Sequence, residues 1–269
     1  VTIGELALDK NGKFLALRAR QVQNLGAYIA FAGIQLATNN FARCFPAMYD
    51  IPKLDIAVQC VYTNTLPTGP YRGAGRPEAN YTIERLVEEA SRISGIDAVT
   101  LRKRNLIPAS AMPYKTAVGA VFDSGEFAEI FDKALALADL EGFQQRKRDS
   151  KENGKLRGLG ISCFLEHSGG VPNEGAYLTF PGSETLVVNL GVQGTGQGHA
   201  TIYPRLVADK LGIDVAHVKH RHGDSDLEIK GWPSVASRST ITAGTAVVRT
   251  IETMLEKGIS ALPVVDKDG

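Results

Sequence analysis

Tryptophan, cysteine, long apolar runs and an excess of either charge are all scarce in this sequence. A single tryptophan and 7% aromatic residues leave little for an aromatic platform on which bases could stack. Lys and Arg number 30 against 29 Asp and Glu, a formal charge of +1. That balance argues against nucleic acid as the main partner, because counterion release needs a basic surface. The three cysteines (Cys44, Cys60, Cys163) are odd in number and far apart, with no Cys-x-x-Cys. Neither a disulfide framework nor a zinc ribbon is expected, and a reducing cytoplasm fits. The longest weakly polar stretch, Leu25–Ala37, is interrupted by Gly26, Gly33 and Gln35 and is too short to span a bilayer. Val1-Thr2-Ile3-Gly4-Glu5 has no basic segment, so no signal peptide is read there, and without an initiator methionine the chain reads as a fragment.

What is present is a folded chain of 269 residues, 43% hydrophobic and 22% charged, enough for one large domain or two ordinary ones. Glycine is the surplus, 28 residues or about 10% against about 7% on average. Thr2–Leu8 and Phe14–Gln23 carry strand residues around an Asn11-Gly12 turn, which predicts a hairpin. Leu54–Tyr62 alternates as a strand. A Gly/Pro-rich loop, 66–77, leads to a helix bearing Ile83, Leu86, Val87, Ala90 and Ile93 on one face, ended by Gly95. Asp97 caps a second helix, stopped by Pro108. Asp123-Ser124-Gly125-Glu126 predicts a capping box for a helix burying Phe127, Ile130, Phe131, Ala134, Leu135 and Ala138. After the charged run Gln144–Arg157, read as a solvated helix end and linker, come strand candidates Gly158–Leu165, Ala176–Phe180 and Glu184–Leu190. A glycine-rich loop (191–198) and a helix over Ala200–Leu211 follow. The pattern is α+β with two lobes dividing near residues 109–122.

Four segments could carry chemistry. The first, Gln193-Gly194-Thr195-Gly196-Gln197-Gly198-His199, lies between a strand and a helix, where backbone N–H groups and the helix dipole suit an anion. It is neither a Walker loop nor a Rossmann fingerprint, and a tight turn in a packed sheet is the alternative. In the second, Tyr71-Arg72-Gly73-Ala74-Gly75-Arg76, two arginines could aim at an anion or carbonyl, or Arg76 could simply pair with Glu78 or Glu84. The third, Ala236-Ser237-Arg238-Ser239-Thr240, is either a phosphate seat or an ordinary helix start. In the fourth, His217, His220 and His222 with Asp224 and Asp226 permit metal ligation, although a polar edge strand is the simpler reading.

Together and in this order, with Leu101-Arg102-Lys103-Arg104-Asn105-Leu106-Ile107 between the second and first segments, these motifs resemble the molybdenum-binding large subunit of the xanthine dehydrogenase/aldehyde oxidase/carbon monoxide dehydrogenase family. The resemblance covers about residues 1–257. It implies a two-lobed molybdenum-cofactor-binding architecture, incomplete here. Residues 1–110 would be part of the first lobe and 120–250 part of the second, followed by a tail at 251–269. It implies molybdopterin cytosine dinucleotide, with molybdenum held through the pterin rather than by protein ligands, and hydroxylation of a small molecule with water-derived oxygen. Electrons would leave through a 2Fe-2S small subunit to FAD on a medium subunit, in a cytoplasmic dimer of heterotrimers. By the same resemblance Gln197 lies near the molybdenum or pterin. Gln193, Gly194, Gly196, Gly198 and His199 complete the cradle, Ala236, Ser237, Arg238, Ser239 and Thr240 hold the phosphate and pterin side, and Arg72, beside Gly73, acts on substrate.

Gly73-Ala74-Gly75 stands where the copper-binding cysteine of carbon monoxide dehydrogenases would be, so an aldehyde or N-heterocycle is the expected substrate and carbon monoxide the lesser alternative. The family's base glutamate and an N-terminal pterin-binding segment have no counterpart here, so the isolated chain is expected to be inactive. The tail, Met254 to Gly269, resembles the first helix and strand of a cystathionine-β-synthase-type regulatory module, which suggests a sequence junction near 246–258. A non-catalytic nucleotide-binding or regulatory protein is the competing reading. A Rossmann enzyme is disfavoured by the loop spacing and the absence of an early βαβ unit.

Overall fold

The computed structural model describes residues 1–166, 168–169, 174–182, 184–258 and 263–264. The chain forms two compact units, Val1–Glu166 and His167–Gly269.

In the first unit, β1 (Thr2–Leu8) and β2 (Phe14–Gly26) form the expected hairpin, and β3 (Leu54–Tyr62) lies parallel to β2. Between β2 and β3 run α1 (Gly33–Gln35), a π-helical turn over Leu36–Asn40, and α2 (Phe41–Cys44). The chain then makes α3 (Arg76–Ser94), α4 (Ala98–Asn105), a small ladder of β4 (Tyr114–Lys115) and β5 (Val121–Phe122), α5 (Phe127–Leu137) and α6 (Phe143–Glu152). Ile83, Val87 and Ala90 of α3 pack into a core with Phe14, Leu17, Phe41 and Phe45. Each large side chain fully buried there stabilises by about 1.5–3 kcal/mol. Asp97 caps α4 by accepting from the Thr100 N–H at 2.8 Å.

Two residues of the 101–107 motif act as internal clamps. Asn105 accepts from the Phe14 N–H and donates to the Gly12 carbonyl, each at 2.8 Å, pinning the hairpin turn. Arg102 is fully buried and binds Glu84 and Glu88. The Tyr49 hydroxyl, whose acidity burial and then Glu84 suppress, donates to the same Glu84 at 2.5 Å.

Several expectations need correction. The capping box does not form. Helix α5 starts at Phe127, whose ring packs edge-on to Phe122 at 6.2 Å, and Asp123 accepts from the Ser124 hydroxyl instead. Only Phe131 of the expected stripe is buried, because α5 meets the core along a narrow Phe127–Phe131–Leu135 line. Ile130, Ala134 and Ala138 face solvent. Residues 158–165 form no strand. Burial alternates at 161, 163 and 165, but these backbones bind helix side chains: Ile161 O accepts from Arg102, Cys163 N–H donates to Glu84, and Leu165 exchanges two bonds with Asn80. Cys163 is correspondingly a buried thiol, pushed up to about 11 by burial and by Glu84.

The second unit holds β6 (Ala176–Gly182), β7 (Thr185–Leu190), α7 (His199–Leu211), β8 (Val218–His222), α8 (Ser239–Lys257) and β9 (Pro263–Val264). The sheet order is β8-β7-β6-β9, with β7 and β8 parallel and the other pairs antiparallel. Helices α7 and α8 share a core with the sheet through Tyr203, Val207, Val247 and Ile251. Gly258, φ 60°, ends helix α8. Most of the tail resembling a regulatory module, 259–262 and 265–269, lies outside the described residues. The described pair Pro263–Val264 adds to β6.

Candidate functional site

In the second unit, the chain leaves β7 at Leu190, passes through the glycine loop, enters α7 and returns as β8 beside β7, with Leu190 opposite His222. The loop therefore sits at the carboxyl end of a parallel strand pair and at a helix N-terminus, where free N–H groups and the helix dipole favour anions. Gly196 (φ 107°) and Gly198 (φ 87°) adopt left-handed backbone, and the space where a Cβ would stand is open at both. A ligand can approach this backbone closely.

Gln197 organises the loop. Its Oε1 accepts from the Thr195 N–H at 2.5 Å and from the Thr195 hydroxyl at 3.2 Å, while its Nε2 donates to Ser234 Oγ at 2.5 Å. Ser234 in turn shares a 2.6 Å hydrogen bond with Ser239 at the start of α8. Gln197 and Ser239 are thus brought together through Ser234, a residue that carries no local sequence signal. Ala236 (φ 55°) and Ser237 (φ 52°) are consecutive non-glycine residues in left-handed backbone, a conformation that costs on the order of 1–3 kcal/mol each and is found at functional sites. Arg238 points inward. It is buried, binds Glu174 and donates to the Pro233 carbonyl at 3.4 Å, and the same Glu174 oxygen accepts from the Trp232 N–H at 3.1 Å. Gln193 and Thr240 are exposed, and His199 is buried against Tyr203 at 5.1 Å. Burial, then His222, holds His199 below the ordinary imidazole range.

The edge strand β8 carries His220 and His222 with their rings stacked at 4.6 Å. Burial, followed by His222 and His199, lowers His220 to about 4. Among the described residues no group of three His, Cys, Asp or Glu side chains is placed to hold a metal ion.

In the first unit, β3 likewise delivers a loop into a helix. Gly75, φ 89°, caps α3, and a Cβ there would overlap the Leu36 carbonyl of the π-helical turn. Asn40 of that turn donates to the Ala74 carbonyl at 2.9 Å. The loop thus held presents Arg72 to solvent and turns Arg76 inward. Arg76 pairs with neither Glu78 nor Glu84: it donates to Gly73 O at 3.2 Å and its Nε lies 3.8 Å from Glu166, because Arg102 already occupies Glu84. Arg72 borders a cavity of about 150 Å³ with Gln21, Gln23, Ala37, Ala74 and Gly75. Gln21, buried, donates to Gln23 at 3.2 Å and leaves its Oε1 without a partner among the described residues. Neither glutamine stands out in the sequence.

Two family models, each described as a molybdopterin cofactor-binding domain, match residues 2–106 and 133–263. The chain belongs to this family, that of the molybdenum-binding large subunits of xanthine dehydrogenases and carbon monoxide dehydrogenases. It is 32% identical to the carbon monoxide dehydrogenase large chain of Afipia carboxidovorans over 90% of its own length and 32% of that protein's. It is 29% identical to the 6-hydroxypseudooxynicotine dehydrogenase complex subunit gamma of Paenarthrobacter nicotinovorans, covering 94% of this chain and 32% of the relative. Among solved structures, the reconstituted carbon monoxide dehydrogenase from Oligotropha carboxidovorans superposes with a TM-score of 0.85 at 30% identity, over 95% of this chain and 34% of that one. Quinoline 2-oxidoreductase from Pseudomonas putida 86 gives 0.84 at 26% identity, over 93% and 34%. The chain thus spans about a third of the length of these relatives. No described helix is long and apolar enough to cross a membrane.

Proposed function

We propose that this chain is the cofactor-facing part of a molybdenum hydroxylase large subunit that oxidises an aldehyde or N-heterocycle and uses the cytosine dinucleotide form of molybdopterin. The observation that carries the reading is the glycine loop. It is open above Gly196 and Gly198, lies at the carboxyl end of β7, and is tied through Gln197 and Ser234 to the start of α8. Open backbone amides beside a helix N-terminus suit the phosphates and polar ring edges of a pterin dinucleotide. When bound, that group would supply the two-electron redox centre at which water-derived oxygen is inserted.

The chain's own contribution is positional and electrostatic. The loop around Gln197 and the turn at Ala236–Ser237 would hold the cofactor, with Arg238 bracing that turn from beneath through Glu174. Arg72, exposed on a loop locked by Gly75, would place a cation against negative charge developing on the substrate. Gly73-Ala74-Gly75 offers no thiol, which supports an organic substrate over carbon monoxide. Partners carrying a 2Fe-2S cluster and FAD, in a cytoplasmic assembly of paired heterotrimers, complete the proposal; these three cysteines supply no cluster pattern.

Metal and nucleotide analysis of the assembled enzyme carrying this sequence tests the reading. Molybdenum with released cytosine nucleotide is expected. An adenine nucleotide without molybdenum would replace it with the regulatory alternative.

A further inference from the structure

The glycine loop is held from a second side, by a column of rings. His222, the last residue of β8, accepts a hydrogen bond at Nδ1 from the Gly194 backbone N–H at 3.1 Å. The fit is close: a Cβ on Gly194 would stand 3.2 Å from His222 Cε1. The His222 ring stacks on His220 at 4.6 Å, with 20° between the planes. His220 lies 5.4 Å from Tyr203, and Tyr203 lies 5.1 Å from His199 at the start of α7. The Tyr203 hydroxyl donates to Ser239 O at 3.0 Å, so the column also reaches the first residue of α8.

We propose that His222 is a positioning residue, a neutral imidazole latch that sets the glycine loop in its cofactor-holding form. The inference rests on the cradle reading of that loop. As an acceptor at Nδ1, His222 must carry its proton on Nε2. A proton on Nδ1 would replace the acceptor with a donor facing the Gly194 N–H, and the latch would open. His199 and Tyr203 face the column from α7, and His220 stands beside it on β8. The β7 residues paired at this end of β8, Val188, Asn189 and Leu190, carry no charge. Ser239 is the contact from α8, Gln193 lies against Gly223, and the Asp224 carboxylate is engaged by Arg221.

The test compares the unsubstituted chain with His222→Asn, whose Oδ1 can stand in for Nδ1 without titrating, and with His222→Ala. Hydrogen exchange of the 191–198 peptide is read at pH 7.5 and pH 5, corrected for the intrinsic pH dependence of exchange. The chain and the Asn variant should be equally protected at pH 7.5. At pH 5 the chain should lose roughly fivefold in protection, the factor of one ordinary hydrogen bond, and the Asn variant should not. The Ala variant should lack that protection at both values. Full protection in the Ala variant, or the same acid response in the Asn variant, would overturn the latch. Molybdenum retained by the assembled enzyme through gel filtration at both pH values should follow the same order. Retention indifferent to all three side chains, while loop protection follows His222, would overturn the cradle reading instead.

Discussion

The Arg102 guanidinium and the Glu84 carboxylate form an ion pair closed off from water. Nη2 stands 2.9 Å from Oε2, and the Arg102 side chain has no exposed surface. Two further groups, the Tyr49 hydroxyl and the Cys163 N–H, use the same carboxylate, so one acid joins α3, α4 and the end of the first unit. Arg102→Met should leave that charge buried without its cation and destabilise the unit by about 3–5 kcal/mol. Adding Glu84→Gln should recover part of the loss. Denaturant unfolding of the single and double variants checks both outcomes.

Gln197→Ala should free both the Thr195 N–H and Ser234, and Ser234→Ala should free Gln197 and Ser239. Each variant is expected to lower molybdenum occupancy in the assembled enzyme, with global stability changing by no more than about 0.5–1.5 kcal/mol per hydrogen bond lost. Metal analysis alongside thermal unfolding separates the two effects. Unchanged occupancy and turnover in both would remove Gln197 from the cofactor site.

Arg72 is exposed and has no hydrogen-bond partner among the described residues, so its loss should leave the fold intact. Arg72→Met should reduce kcat by roughly ten- to a thousandfold while molybdenum stays bound, since a cation aimed at developing charge acts chiefly in the transition state. Steady-state kinetics with metal quantification distinguish this from a cofactor-binding role.

His220 makes the second unit sensitive to acid. Its protonation is held down to about 4 by burial and by His222 and His199, whereas an unfolded imidazole titrates near 6.5. Between these values the unfolded chain binds the extra proton. The stabilisation is therefore complete above about pH 6.5 and is lost as the pH falls towards 4. His220→Phe should flatten that slope. Unfolding midpoints measured from pH 7.5 to pH 4 for both chains give the comparison.

Periodicity and turn chemistry were legible where a single element satisfies itself. The Asn11-Gly12 hairpin, β3, the apolar face of α3 from Ile83 to Ala90 with its Gly95 stop, and the Asp97 cap all follow from local residue types, whereas Ile93 in the last turn of α3 is exposed. The α5 stripe failed because periodicity shows which side of a helix is apolar but not how much core lies beneath it. The glycine loop, Ser237–Thr240 and the Arg72 loop were conspicuous as motifs, yet Ser234 and His222 join the glycine loop, and Gln21 lines the cavity beside Arg72, only through the tertiary fold, 37, 28 and 51 residues along the chain from Gln197, Gly194 and Arg72 respectively. Arg102 shows the opposite limit. Near a helix C-terminus, an arginine that answers the dipole and one that neutralises a buried acid look the same in sequence.

The segment 158–165 has strand-like alternation but takes its hydrogen bonds from Arg102, Glu84 and Asn80 rather than from another backbone. A strand in a ladder can fray one rung at a time, each freed amide turning to water. Here the rungs are side chains rooted in α3 and α4, and two of them also hold each other. Peeling away Cys163 would expose to water a buried carboxylate still bound to Arg102 and Tyr49, a cost that a frayed ladder rung does not carry. Its amides at Cys163 and Leu165 should therefore exchange hydrogen only as slowly as the core of the first unit unfolds, and an irregular stretch of chain becomes one of its slowest reporters.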